Sequence, residues 1–142
     1  MNLNQVTLAA CCMEKTKAFY STLGFTLIVD THHYIRFACP EGESTFSFVI
    51  DEAINNPSTI YFEHEQLDTW VESLVAKGIA FEYLPTNKPY LWREALLVDP
   101  SGNLVKLYWA GKYQLDPPWK VFIQNTLQEL IVLIMNRVGR QI

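Results

Sequence analysis

Residues 13–24 read MEKTKAFYSTLG and residues 67–78 read LDTWVESLVAKG, two stretches in register 54 positions apart. The first carries Ala18, Phe19 and Leu23 ahead of Gly24. The second carries Trp70, Val71, Leu74 and Val75 at helical spacing ahead of Gly78. Glycine directly after a periodic apolar run is a helix stop, because it accepts the left-handed backbone that closes the last turn. Each stretch follows a strand-like segment, about 4–11 in one case and 59–64 in the other. Further on, Pro40-Glu41-Gly42 is answered by Pro100-Ser101-Gly102, 60 positions later. The six additional positions fit a longer loop in the second copy, where Pro85, Asn87 and Pro89 cluster. The chain therefore reads as one unit written twice.

Each unit runs strand, helix, then three strands. In the first copy the later strands fall at Thr26–Asp30, about 33–38 and Thr45–Ile50; in the second, at about 81–83, Arg93–Val98 and Leu104–Trp109. Pro40-Glu41-Gly42 and Asp99-Pro100-Ser101-Gly102-Asn103 supply turn chemistry between antiparallel strands. The expected class is α+β: two tandem βαβββ modules forming a curved mixed sheet around a cleft, plus a C-terminal helix. Residues 1–56 make the first module, 57–111 the second and 112–142 an extension, with Asn55-Asn56-Pro57-Ser58 as the joint.

Composition narrows the functional classes. In 142 residues, 49% apolar and 18% charged, there is material for a core, which excludes a disordered or collagen-like chain. Eleven basic against fifteen acidic residues leave no basic footprint for a nucleic acid. The longest unbroken apolar run, 130–135, is far short of the ~20 residues of a membrane span. The N-terminal residues lack the basic region and length of a secretion signal. Cys11, Cys12 and Cys39 are odd in number and two are adjacent, so no disulfide framework is expected. A soluble protein of a reducing, cytoplasmic compartment is the expectation.

The run Ala18-Phe19-Tyr20 with Leu23-Gly24-Phe25, the pair Arg93-Glu94, and Asp99-Pro100-Ser101-Gly102-Asn103-Leu104-Val105 resemble the vicinal oxygen chelate superfamily. That superfamily includes glyoxalase I, extradiol dioxygenases, fosfomycin-resistance transferases and bleomycin-resistance proteins. The resemblance covers about residues 1–111 and lies nearest the metal-free bleomycin-resistance branch. It implies paired βαβββ modules, commonly in a homodimer, and in the enzymes one divalent metal held from the first and last strands of each module. Those positions fall here on Gln5, Thr59, Lys106 and Phe46. An amide oxygen, a hydroxyl, an ammonium and a ring do not make a catalytic metal site, so no metal and no other cofactor is expected.

Alternate residues of a strand share a face. That assigns Gln5, Thr7, Ala9, Phe46, Phe48, Thr59, Tyr61, Glu63, Lys106 and Tyr108 to the cleft, and Val6, Leu8, Ile60, Phe62, Val105 and Leu107 to the helices. The cleft set is aromatic with a few polar groups, the usual lining of a small-molecule pocket. Lys106 requires a counter-charge there, either Glu63 or an acidic group of a ligand. His64 falls at odd parity to Thr59 and aims at the helix. By resemblance Trp92 and Arg93 are rim candidates for a flat ligand; the alternative for Arg93 and Glu94 is a structural ion pair. Tyr90 and Leu91 lie in a loop with Pro89, placed to close over a ligand.

After Gly111 the pattern thins. Ile123, Leu127, Leu130, Ile131, Ile134 and Val138 follow helical spacing, with a strand over 130–135 as the alternative. So apolar a helix needs a partner, either its own sheet or a second subunit. The leading functional expectation is a metal-independent small-molecule binder, with Phe46, Phe48, Tyr61, Trp92 and Tyr108 as the apolar surface and Gln5, Glu63 and Lys106 fixing polar ends. The alternatives are a glyoxalase- or dioxygenase-type enzyme with an atypical metal set, and a metal-free isomerase or lyase with Glu63 as base and Lys106 stabilising an enolate.

Overall fold

The computed structural model describes residues 1–121 and 124–139, the side chains of 124–127 excepted. The first module comprises β1 (Gln5–Ala10), α1 (Met13–Leu23), β2 (Thr26–Asp30), β3 (Tyr34–Ala38) and β4 (Thr45–Ile50). The second comprises β5 (Thr59–Glu63), α2 (Leu67–Ala76), β6 (Tyr83–Asn87), β7 (Arg93–Val98) and β8 (Leu104–Trp109). The strands form two four-stranded mixed sheets, ordered β1-β4-β3-β2 and β5-β8-β7-β6. In each, the first strand runs parallel to the last, and the remaining pairings are antiparallel. Gly24 ends α1 at φ 111°, and Gly78 lies just beyond α2 at φ 90°. Both angles belong to the left-handed region that favours glycine.

Residues 1–111 form one compact unit and 112–142 another. Within the first unit the helix-facing sides of both sheets share a single core. Phe62 of β5 lies 4.3 Å from Phe25 and 5.0 Å from Phe46, ring centre to ring centre. The indole N–H of Trp70 donates to the Leu23 carbonyl at 3.2 Å. The turn 99–103 ties the modules together through polar groups. The buried Asp99 carboxylate accepts from the Tyr20 hydroxyl at 2.8 Å and from the Asn103 side chain at 2.9 Å, while Asn103 also donates to Ala9 O at 3.0 Å. Burial and the Asp99 carboxylate together push the Tyr20 phenol far above its ordinary pKa.

Two expectations are corrected. Pro85 and Asn87 belong to a strand, β6, which runs from Tyr83 to Asn87 where one was expected at about 81–83; the longer loop is 88–92, which holds Pro89 and has five residues against the three of 31–33. Proline has no N–H for the ladder and is confined to edges and bulges; β6 is one of the two edge strands of its sheet, and its register with β7 shifts between Tyr83 and Thr86.

The second correction concerns the face of β4. Phe46 and Phe48 are 1% and 0% exposed and lie on the helix side, 5.4 and 4.8 Å from the Tyr20 ring. The turn closed by Cys39 N and Ser44 O holds one residue more than the turn closed by Asp99 N and Asn103 O. The 60-residue offset that relates β3 to β7 therefore becomes 59 between β4 and β8. A one-residue slip exchanges the faces of a strand, so the counterpart of Lys106 is Ser47.

In the second unit α3 spans Gln124–Val138, a helix where a strand was the alternative. Of the expected stripe, Ile123 and the Leu127 side chain lie outside the described residues. The side chains at 130–135 are each 52–67% exposed. No helix among the described residues is long and apolar enough to cross a membrane.

Candidate functional site

On the second sheet, strand pairing places Tyr61 beside Lys106, Glu63 beside Tyr108, Glu94 beside Tyr108 and Leu96 beside Lys106. All project away from the core formed by Phe62, Ala95, Leu97, Val105 and Leu107. Trp92, two residues ahead of Glu94, stacks on Tyr108 with ring centres 4.8 Å apart and planes at 21°. Tyr61 meets both rings edge-on, at 5.6 Å from Tyr108 and 6.2 Å from Trp92, and is 46% exposed. The result is an aromatic platform on the open face of the sheet, in which Tyr108 is itself only 6% exposed and Trp92 and Tyr61 present the accessible rings.

Beneath it lies a charge pair. Glu94 is 1% exposed and takes the Lys106 ammonium at 3.4 Å, while the hydroxyls of Tyr83 and Tyr90 donate to its two oxygens. Burial alone depresses the Lys106 pKa, but Glu94 and the Tyr61 oxygen outweigh that and raise it, so the ammonium is kept. Burial, seconded by Glu94, holds the Tyr83 phenol above its usual range. The hairpin carrying Tyr90 and Trp92 is a three-residue loop, closed by Lys88 N to Trp92 O at 2.8 Å and Leu91 N to Lys88 O at 3.0 Å. Leu91 takes φ 68°, the left-handed position such loops require.

The first sheet presents a polar open face. Gln5 Nε2 donates to Ser47 Oγ at 2.7 Å, and Ser47 shares a hydrogen bond with Thr7 at 2.8 Å. Thr45 donates to the Gln5 carbonyl oxygen. Arg36, paired with Ser47 across β3 and β4, donates through Nε to the Tyr34 hydroxyl at 2.9 Å. Ser47 and Arg36 together hold the Tyr34 phenol below its ordinary pKa.

Of the residues singled out from sequence, Gln5 and Thr7 come together on the first sheet, and Thr59, Tyr61, Glu63, Trp92, Lys106 and Tyr108 on the second. Phe46 and Phe48 are core residues instead. Arg93 is not a rim group: neighbouring strand residues face opposite ways, and its guanidinium donates to Asp68 of α2 at 3.0 Å and to Asn87 at 3.0 Å. The counter-charge of Lys106 is Glu94 rather than Glu63, and Arg93 and Glu94 bond to separate partners rather than to each other. His64 packs on Trp70 of α2 at 5.1 Å. Glu94, Tyr83, Arg36, Tyr34 and Ser47 went unread as site residues, although strand parity running from Trp92 through Glu94 to Leu96 carries the signal for the first.

The four positions that could present metal donors from the first and last strands are Gln5, Thr59, Ser47 and Lys106. The Gln5 oxygen is engaged by Thr45, Ser47 and Thr59 are neutral hydroxyls, and Lys106 is a cation bound to Glu94. This set does not fit a divalent ion, which needs anionic or imidazole donors at about 2 Å. Among the described residues no three His, Cys, Asp or Glu side chains converge as a metal-holding group.

The duplicated βαβββ architecture and the open sheet faces define a class, and the comparisons with known proteins agree. A profile of the Glyoxalase/Bleomycin resistance protein/Dioxygenase superfamily matches residues 2–107, and the chain belongs to that superfamily. Solved structures of like fold include a bleomycin-binding protein complexed with bleomycin, 19% identical, TM-score 0.66, over 78% of this chain and 100% of that one. A glyoxalase/bleomycin resistance protein/dioxygenase from Nocardioides is 20% identical with TM-score 0.68, over 86% and 90% of the two chains. A lactoylglutathione lyase from Agrobacterium tumefaciens is 18% identical with TM-score 0.64, over 75% and 92%. At these identities the likeness is one of fold. No curated protein matches the chain by sequence.

Proposed function

We propose that the protein is a metal-independent binder of small molecules that seats a flat or amphipathic ligand on the second sheet. The observation that carries this is the Trp92–Tyr108 stack with Tyr61 standing half-exposed at its edge. Such rings offer large apolar area with few torsions to freeze, so a planar guest gains dispersion and desolvation at low entropic cost. Glu94 supports this role by position: its carboxylate is already satisfied by Lys106, Tyr83 and Tyr90, which fixes the hairpin bearing Trp92. The complex of a bleomycin-binding protein of the same fold with a ligand is consistent with this use of the architecture.

The test is a fluorescence titration of the full chain with the neutral flat probe N-phenyl-1-naphthylamine. Saturable binding is expected, unchanged after dialysis against EDTA, and Trp92→Ala raises Kd at least tenfold, about 1.4 kcal/mol. Loss of binding on EDTA treatment, or an unchanged Kd in Trp92→Ala, sinks the proposal. The same reading makes the chain a homodimer through α3, since six consecutive apolar side chains more than half exposed require cover. Sedimentation should give twice the chain mass, and Leu130→Lys with Ile134→Lys should give the monomer.

A further inference from the structure

The two modules can be compared position by position, and the comparison isolates one charge. Across the second sheet Glu94, Leu96 and Lys106 occupy the places that Tyr34, Arg36 and Ser47 hold across the first, as the pairings Leu96 with Lys106 and Arg36 with Ser47 show. The second sheet carries a cation together with the carboxylate that neutralises it. The first sheet also carries a cation, but the position of the carboxylate is taken by a tyrosine.

Among the described residues no carboxylate forms an ion pair with Arg36, and its side chain bonds the Tyr34 hydroxyl alone, through Nε, with the guanidinium carbon 5.4 Å from that ring's centre. The bond through Nε orients the planar guanidinium, and among the described residues no acceptor bonds its Nη donors. Ile35 and Phe37, on either side of Arg36, are fully buried in the core, so the strand holds Arg36 on the open face. Beside it on β4 stands the Ser47 hydroxyl, held from the far side by Gln5 and Thr7 of β1. A half-buried guanidinium with an ordered hydroxyl beside it and no paired acid is complementary to an oxyanion, which it grips through two parallel N–H bonds.

We infer that the open face of the first sheet is a binding site for the oxyanion of a small-molecule ligand, a carboxylate or phosphonate-like group, with Arg36 as its anchor and Ser47 and Tyr34 at its edge. This site is separate from the aromatic platform and does not depend on it.

The experiment is a nitrogen–proton NMR titration of the full chain, using acetate against its neutral isostere acetamide, and methylphosphonate at matched ionic strength. Acetate and methylphosphonate should move the Arg36 Nε resonance and the backbone amides of Tyr34 and Ser47 saturably, with acetate at least tenfold tighter than acetamide. Arg36→Gln should reduce that preference to near unity on the Tyr34 and Ser47 amides. Arg36→Lys keeps the charge but not the fork; it should retain a preference several-fold smaller and serves as the readout if Arg36→Gln does not fold. Equal shifts from acetate and acetamide in the parent chain overturn the inference, as does a preference that survives both substitutions. None of these signals involves Trp92, so failure here and failure of the aromatic platform are told apart by which titration is flat.

Discussion

Asp99→Ala is expected to cost about 3 kcal/mol or more of folding stability, the larger part of what a domain of this size has to lose. One oxygen of the carboxylate accepts the backbone N–H groups of Ser101 and Asn103, each at 2.9 Å, and the other accepts Tyr20 Oη and the Asn103 amide. Tyr20 and Asn103 are fully buried, so removing the acceptor strands donors that no water reaches, at about 1–3 kcal/mol for each unsatisfied group. The damage is not local. Asn103 also holds Ala9 O of β1 and, through its own oxygen, Ser58 N at the joint between modules, so the turn fastens the two copies to each other. Tyr20→Phe removes one donor and should cost about 1 kcal/mol. Urea unfolding at neutral pH measures both. The same pair fixes an alkaline limit. A phenol whose folded pKa lies above its unfolded value of 10.0 favours the fold below that pH and draws stability down as pH rises past it. Stability should therefore fall above about pH 10, and less steeply in Tyr20→Phe. An Asp99→Ala chain as stable as its parent would remove the turn from the account of the fold.

The duplicated architecture is legible because glycine and turn residues mark the same places in both copies. Gly24 and Gly78, at matching positions after the helical runs, both take positive φ, and no side chain spacing imitates that punctuation. Face assignments are less secure, since they depend on counting through turns. One added residue in the turn between β3 and β4 moves Phe46 and Phe48 from the supposed cleft to the core and puts Ser47 in their place. Parity within a single strand is firmer: Tyr61 and Lys106 do share the open face with Tyr108. What no pattern announces is pairing between strands. Glu63 and Glu94 both carry the parity of the open face, and only the β7–β8 register and the shape of the hairpin choose Glu94 as the partner of Lys106. Arg36 escaped notice for the converse reason, because a cation without an acid has no sequence signature at all.

The second large effect is expected at that pair. Glu94→Gln leaves the Lys106 ammonium, 22% exposed, without its counter-charge and gives the Tyr83 and Tyr90 hydroxyls a weaker acceptor. Breaking a fully buried pair costs about 3–5 kcal/mol, and the partial exposure of Lys106 brings the expected loss to about 2 kcal/mol. Lys106→Met should cost at least as much, because the charge it abandons is the one almost wholly out of water. The double variant Glu94→Gln with Lys106→Met has no orphaned charge and should regain half or more of the loss, a coupling that a double-mutant cycle reads directly. Binding separates the two roles of Glu94. The carboxylate bonds Tyr90, two residues from Trp92, so if it braces the platform, the probe affinity should fall in Glu94→Gln and recover less than stability does in the double variant, which restores charge balance but not the grip on Tyr90. Losses that simply add in the cycle would mean the ammonium and the carboxylate stand near each other without holding the sheet face in shape.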